Sequence, residues 1–425
     1  MDNVSAALRV TGGQIPEQAR GPSSAPRRAP LTPLKLEPRL RAIVQQEYPR
    51  FSRAEYERRH KALAQIMEKA KVDSLLIVTE NRSGNATQWV TGWPGTAQAY
   101  VVFRPDEQMW MAVEWFNHVP LAKKIAFDAE VHWGEHQGLL KTIEELRRRG
   151  AKRLGIIGPL GIAGHRQLEG FFKLAPLNAE YIRLRTIKSQ EEIDWLRLGA
   201  AMSDAGLAAL LAGTEPGMTE RELAALVESG YVRHGATTMI HYIGVTSMAK
   251  PHIYVPPQHP SPRKVQRGDV VFCELSASWW DYPGQVLRTF TVGADATPLY
   301  RDLHHAAEAA FDAVTAVVRH GTKMQEIIDA ANVIEASGFT VCDDLMHGYG
   351  GGYLQPILGS GSRPAGPLPD MRLQENMTVV VQPNVTTREE KGKPRAGVQV
   401  GELIRVTRDG FERLHRARRG LVRVS

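Results

Sequence analysis

Two cysteines in 425 residues, Cys273 and Cys342, are too few for a disulfide framework. They point to a reducing, cytoplasmic setting. No apolar run reaches the ~18 to 20 residues that span a bilayer, so no membrane segment is expected. Met1-Asp2-Asn3 lacks the charged-then-apolar opening of a secretory leader. There is no Gly-x-Ser-x-Gly elbow, and neither cysteine has a base partner in the sequence, which argues against a serine or cysteine hydrolase. The glycine run Gly350-Gly351-Gly352 is not followed by Lys-Ser/Thr, so it is a poor phosphate loop. The net charge of +7 comes with small basic clusters, such as Arg147-Arg148-Arg149, and without a basic stripe interleaved with aromatics. It fits a solvated surface or a lure for small anionic substrates, not a nucleic-acid partner.

What is present is ordinary for a globular chain of two or three domains, with 43% hydrophobic and 23% charged residues. Residues 1–33, rich in Pro, Ala, Gly, Ser and Arg, show no periodicity and are expected to be disordered or to form an arm. From residue 34 to 185 strand-like runs such as Ser74-Leu75-Leu76-Ile77-Val78 alternate with helical patterns, predicting a small α/β domain. Ser189 with Glu192, and Thr219 with Glu222, have capping-box spacing, placing long helices at about 190–212 and 219–233. Strands at 270–276, 285–292, 377–383 and 397–407, with helices near 298–318 and 323–336, make residues 186–425 an α+β domain.

Period-2 alternation puts Val270, Phe272, Glu274 and Ser276 on one strand face. An acid in so apolar a strand must be paired, hydrogen-bonded or protonated. Glu274 is then either a structural acid or a catalytic one whose pKa burial raises. His347 opens a glycine-rich turn, His347 to Tyr353, where main chain can approach a ligand closely. Trp279 and Trp280 are adjacent and cannot share a face; one could wall a pocket or an interface, with a core role equally open. His241 is a weaker candidate.

Five segments occur in a telling order: Arg267 to Glu274, Gln285-Val286-Leu287-Arg288-Thr289, His347-Gly348-Tyr349-Gly350, Val381-Gln382-Pro383, and Gly397 to Glu402. They resemble the methionine aminopeptidase, prolidase and creatinase superfamily. The resemblance implies a C-terminal pita-bread domain behind a smaller creatinase-like N-terminal domain. Its metallopeptidase members hold two divalent metals with Asp, Asp, His, Glu and Glu. Here those positions read Glu274, Gln285, His347, Gln382 and Gly401. Two dications need anionic oxygen ligands, so no metal and no cofactor is expected. Glu402 replaces Gly401 only if a bulge shifts the register.

The resemblance also implies roles. His252, in Lys250-Pro251-His252, matches a substrate-contacting His that shuttles the proton in creatinase-like members. Glu274 would be base or nucleophile, and His347 a second acid/base or an orienter. Gln285 and Gln382 would hold a polar substrate, with His241, Tyr353, Trp279, Trp280 and Glu402 as further substrate-binding candidates. Trp89-Val90-Thr91-Gly92-Trp93 resembles a segment that reaches a partner subunit's cleft, implying a homodimer. The expected activity is metal-independent hydrolysis of a small non-peptide C–N bond: an amide, amidine or lactam. The alternatives are a metal-dependent Xaa-Pro-type peptidase, an enzyme like the dimethylsulfoniopropionate lyases, and an inactive module that binds a peptide or small molecule.

Overall fold

The structure, a computed structural model, describes residues 34–80, 85–95, 97–391 and 395–425. The arm expected over residues 1–33 lies outside the described residues. The first sheet contains β1 (Ser74–Thr79), β2 (Ala99–Phe103), β3 (Met109–Val113), β4 (Ala129–Trp133), β5 (Arg153–Ile157) and β6 (Lys173–Pro176). Their order is β4-β3-β2-β1-β5-β6, with β1 parallel to β5 and antiparallel to β2. β1, β2 and β3 are buried throughout, because helices cover both faces.

The second sheet begins with β7 (Thr237–Ser247), β8 (Asp269–Trp279) and β9 (Tyr282–Val292). A short ribbon pairs β10 (Thr340–Val341) with β14 (Val385–Thr386). β11 (Met346–Tyr349), β12 (Tyr353–Leu358), β13 (Thr378–Val381) and β15 (Gly401–Val406) complete the order β12-β11-β13-β15-β9-β8-β7. β16 (Phe411–Arg413) and β17 (Val422–Val424) flank β15 and β9.

Both capping boxes form, at Ser189/Glu192 and Thr219/Glu222, and start the helices Gln190–Gly213 and Glu220–Tyr231. By length and composition alone Gln190–Gly213 could cross a membrane. Here its apolar stripe, Leu196, Leu198, Met202, Leu207 and Leu210, packs on Val271, Cys273, Leu275 and Val286. The helix expected over 323–336 is two pieces, Met324–Ala330 and Val333–Ala336, because Asn332, a poor helix former, interrupts it. The strand expected over 397–407 starts only at Gly401, since Val398 and Gln399 donate their N–H groups to Val385 O and Thr289 Oγ1.

A buried polar knot ties the two sheets together. Arg59, wholly buried, pairs with Glu55 at 2.7 Å and donates to Trp89 O and Tyr282 Oη. Glu192 accepts from Trp89 Nε1 and Tyr282 Oη, each at 3.0 Å. Charged groups so enclosed are tolerable because each is paired and hydrogen-bonded. In the Trp89–Trp93 segment, Trp89 and Trp93 are both buried within the chain.

Candidate active site

Register across three strands builds the site. Tyr242 pairs with Glu274, Glu274 with Leu287 and Ser276 with Gln285, so Glu274 and Gln285 are diagonal neighbours on one face. Gln285 Nε2 donates to Glu274 Oε1 at 2.6 Å and reaches Gln382 Oε1 at 3.3 Å. Gln382 follows β13 directly, and His347 lies opposite Val380 of that strand. Glu274 is 4% exposed; Gln285, His347 and Gln382 are 2% or less. The structure thus brings together four of the five positions compared above.

Burial pushes the Glu274 carboxyl up to about 8, and the charges of Asp343 and Asp344 add to the rise. Burial pushes the His347 imidazole down to about 4. Its Nδ1 lies 3.2 Å from Gly348 O, which can only accept, so this nitrogen carries the proton in the neutral ring. Nε2 is left as a buried acceptor without a hydrogen-bond partner, as is Gln285 Oε1. The turn after His347 needs glycine: Gly350, Gly351 and Gly352 have φ of 138°, 71° and 103°. Arg185 Nη2 donates to Gly350 O at 2.8 Å, fixing the turn from the first sheet's side. Tyr353, half exposed, packs with its ring tilted at 44° and 4.4 Å from the His347 ring, and forms the rim.

Four expected site residues, Glu402, His241, Trp279 and Trp280, lie elsewhere. Glu402 pairs with Val286, placing it on the face opposite Gln285. There it is wholly buried, bonded to Arg288 Nη2 at 2.7 Å and to Arg413, which hold its carboxyl low despite burial. His241 pairs with Leu275, also on the opposite face, and its Nε2 is 2.9 Å from Tyr231 Oη. Trp279 packs with the helix-side core. Trp280 sits in the β8–β9 turn at φ 47°, its carbonyl accepting from Gln88. His252 is exposed and held by Thr246, whose Oγ1 is 2.8 Å from its Nδ1; Thr246 shares the alternation of Tyr242 on β7.

Sequence reasoning missed Asp343 and Asp344. Their only signal was position, a few residues before His347, and burial and register were needed to show that they act on Glu274.

The donor set does not fit a pair of divalent metals. One carboxyl, two neutral amides and an imidazole remain, and the Gln285 N–H is already committed to the carboxyl. At Gly401 a Cβ would meet Val381 O at 2.6 Å and Gln382 Cα at 2.9 Å, so the neighbouring strand occupies the space a ligand side chain needs. Among the described residues no group of three or more His, Cys, Asp or Glu side chains is arranged to hold a metal ion.

The chain matches metallopeptidase family M24 over residues 194–408, just over half its length, and the Creatinase/Prolidase N-terminal domain over 59–187. A probable dipeptidase PepE of Mycobacterium tuberculosis is 26% identical over 236 residues, a match spanning 54% of this chain and 58% of that protein. The Xaa-Pro dipeptidase of Pyrococcus horikoshii is 24% identical over 377 residues, covering 85% and 98%. Among solved structures, the Xaa-Pro dipeptidase from Bacillus anthracis superposes with a TM-score of 0.73 at 20% identity, over 87% of this chain and 100% of that one. A likeness at that identity establishes the fold, a creatinase N-terminal domain followed by a pita-bread domain, and the expected α+β architecture is borne out. The chain belongs to metallopeptidase family M24, a family of hydrolases acting on C–N bonds.

Proposed function

We propose that the protein is a metal-independent hydrolase of a small, non-peptide C–N bond: an amide, amidine or lactam. The observation that carries this reading is the 2.6 Å bond from Gln285 Nε2 to Glu274, where the family's metal chemistry would need a second carboxylate. With its pKa near 8, the Glu274 carboxyl is poised close to neutral pH, where a group works best as general acid or base. Protonated, it would deliver a proton to the departing nitrogen; ionised, it would take one from the attacking water. The bare Nε2 of His347 would accept a hydrogen bond from that water or from the substrate. His252, oriented by Thr246, would carry protons between site and solvent. Gln285 and Gln382 would hold the scissile group, and Tyr353 would cover it.

The names of the relatives favour a second reading, a metal-dependent Xaa-Pro-type peptidase. Elemental analysis and a hydrolysis screen separate the two. The proposal expects less than about one equivalent of divalent metal and turnover that survives chelation. About two equivalents, with activity lost to chelator and restored by metal, would establish the peptidase instead. Turnover of no amide, amidine, lactam or dipeptide would leave the inactive binding module.

A further inference from the structure

Residues 342–345 are clamped along the strand that supplies Gln382. Cys342 N donates to Asn384 O at 3.0 Å and Gln382 N to Leu345 O at 2.9 Å, so Asp343 and Asp344 sit between these two bonds. Neither carboxylate makes an ion pair among the described residues; Asp343 Oδ1 accepts only the Asp344 N–H, at 2.8 Å. Buried polar atoms without partners lie on the segments that border this loop: His347 Nε2, Gln285 Oε1 and both side-chain atoms of Asn384. Each of these side chains is 1% exposed or less. Native interiors leave few such atoms, and a group of them at one site marks hydrogen bonds meant for a ligand or ordered water. His347 supplies the direction: its Nδ1 is taken by Gly348 O, and its ring feels the Gln382 side chain and the Asp343 charge.

We propose that Asp343 and Asp344 hold the positively charged nitrogen group of a small substrate, an amidinium or alkylammonium, while Asn384 and the Gln285–Gln382 amides take its remaining hydrogen bonds. The charges felt by Glu274 are all of one sign, Asp343 and Asp344, and both raise its pKa. An arriving cation would reverse that push and ionise Glu274 as the complex forms. The half-exposed Tyr353 ring adds an aromatic face at the rim, suited to a cation. The arginines nearest this loop do not fill the role. Arg395 stacks 4.1 Å over Tyr254 and donates to Thr387 O, and Arg388 donates to Gly338 O. Arg363 only partly offsets the rise that burial and Asp343 impose on Asp344.

The inference rests on the proposed function only in placing the substrate beside Glu274, and its test reads binding, not turnover. Acetamidinium, acetamide and acetate share one shape and carry charges of +1, 0 and −1. Calorimetry and thermal shift on the full chain should show acetamidinium bound at least about tenfold more tightly than acetamide, a preference that weakens with salt. Asp343→Asn and Asp344→Asn should each lower acetamidinium affinity about three- to tenfold. The double variant should erase the preference while melting like wild type; if it fails to fold, the single variants and the salt dependence decide. Equal binding of acetamide, tighter binding of acetate, no binding of any probe, or an unchanged affinity in both Asp variants overturns the inference. So does Mn2+ saturating the site with no competition from acetamidinium. Hydrolysis confined to neutral or anionic substrates would sink this inference and leave the hydrolase reading intact; absence of hydrolysis with selective acetamidinium binding would do the reverse.

Discussion

Gln285 and Glu274 lie on neighbouring strands two residues out of register, on one face, and the Gln285 amide closes on the Glu274 carboxyl at 2.6 Å. A carboxylate in place of Gln285 would repel Glu274 unless a metal stood between them. An amide instead donates to it, so the pair is stable without one.

Glu274→Gln should reduce turnover of any substrate by ~10²- to 10⁴-fold, since the amide keeps shape and loses the titrating proton. The fold should survive, as Gln can still bond Gln285. A variant that melts early yet keeps near-full kcat would show that Glu274 is only structural.

The same residue sets a pH dependence of stability. Its folded pKa is raised, so the native state binds the proton more tightly than the unfolded chain between pH 4.5 and about 8. The stability from the protonated form is complete below pH 4.5 and is lost as pH rises toward 8. His347, lowered to about 4, works in the opposite sense below its ordinary pKa of 6.5. Comparing wild type with Glu274→Gln isolates the Glu274 part, of order 1 to 4 kcal/mol. Parallel melting curves for the two proteins from pH 5 to 8 would refute the raised pKa.

Glu402→Ala should lower stability by about 3 to 5 kcal/mol, because it strands the buried Arg288 guanidinium. Ligand binding at Glu274 should be little changed in whatever fraction folds. A selective loss of binding without loss of melting temperature would return Glu402 to the substrate site.

Gly401→Ala should cost about 1 to 3 kcal/mol through overpacking, since its Cβ would fall 2.6 Å from Val381 O. Chemical denaturation measures this directly. A neutral substitution would mean that β13 and β15 part easily, and that a ligand side chain could be restored there.

A homodimer should give a light-scattering mass near twice 47.1 kDa at micromolar concentration. The exposed Trp115, Phe116 and Trp133 on the first sheet's domain offer apolar surface for such a contact. A strictly monomeric mass would count against it.

The local signals were legible in the chain itself. Both capping boxes, the alternation that sets Glu274 apart from Cys273 and Leu275, and the glycines after His347 are properties of a few consecutive residues. Steric and hydrogen-bonding rules act over that same range, so reading them required no partner strand. The family's segment order likewise survives as linear text. The tertiary structure alone decided which groups meet. Glu402 and Gly401 are adjacent in sequence, yet cross-strand register sends Glu402 to Arg288 and packs Gly401 against Val381. Asp343 and Asp344 act on Glu274 from about 70 residues away, and Trp89 is buried within the chain, bonded to Glu192. Register, burial and electrostatic proximity depend on distances across the sheet, which no local pattern encodes.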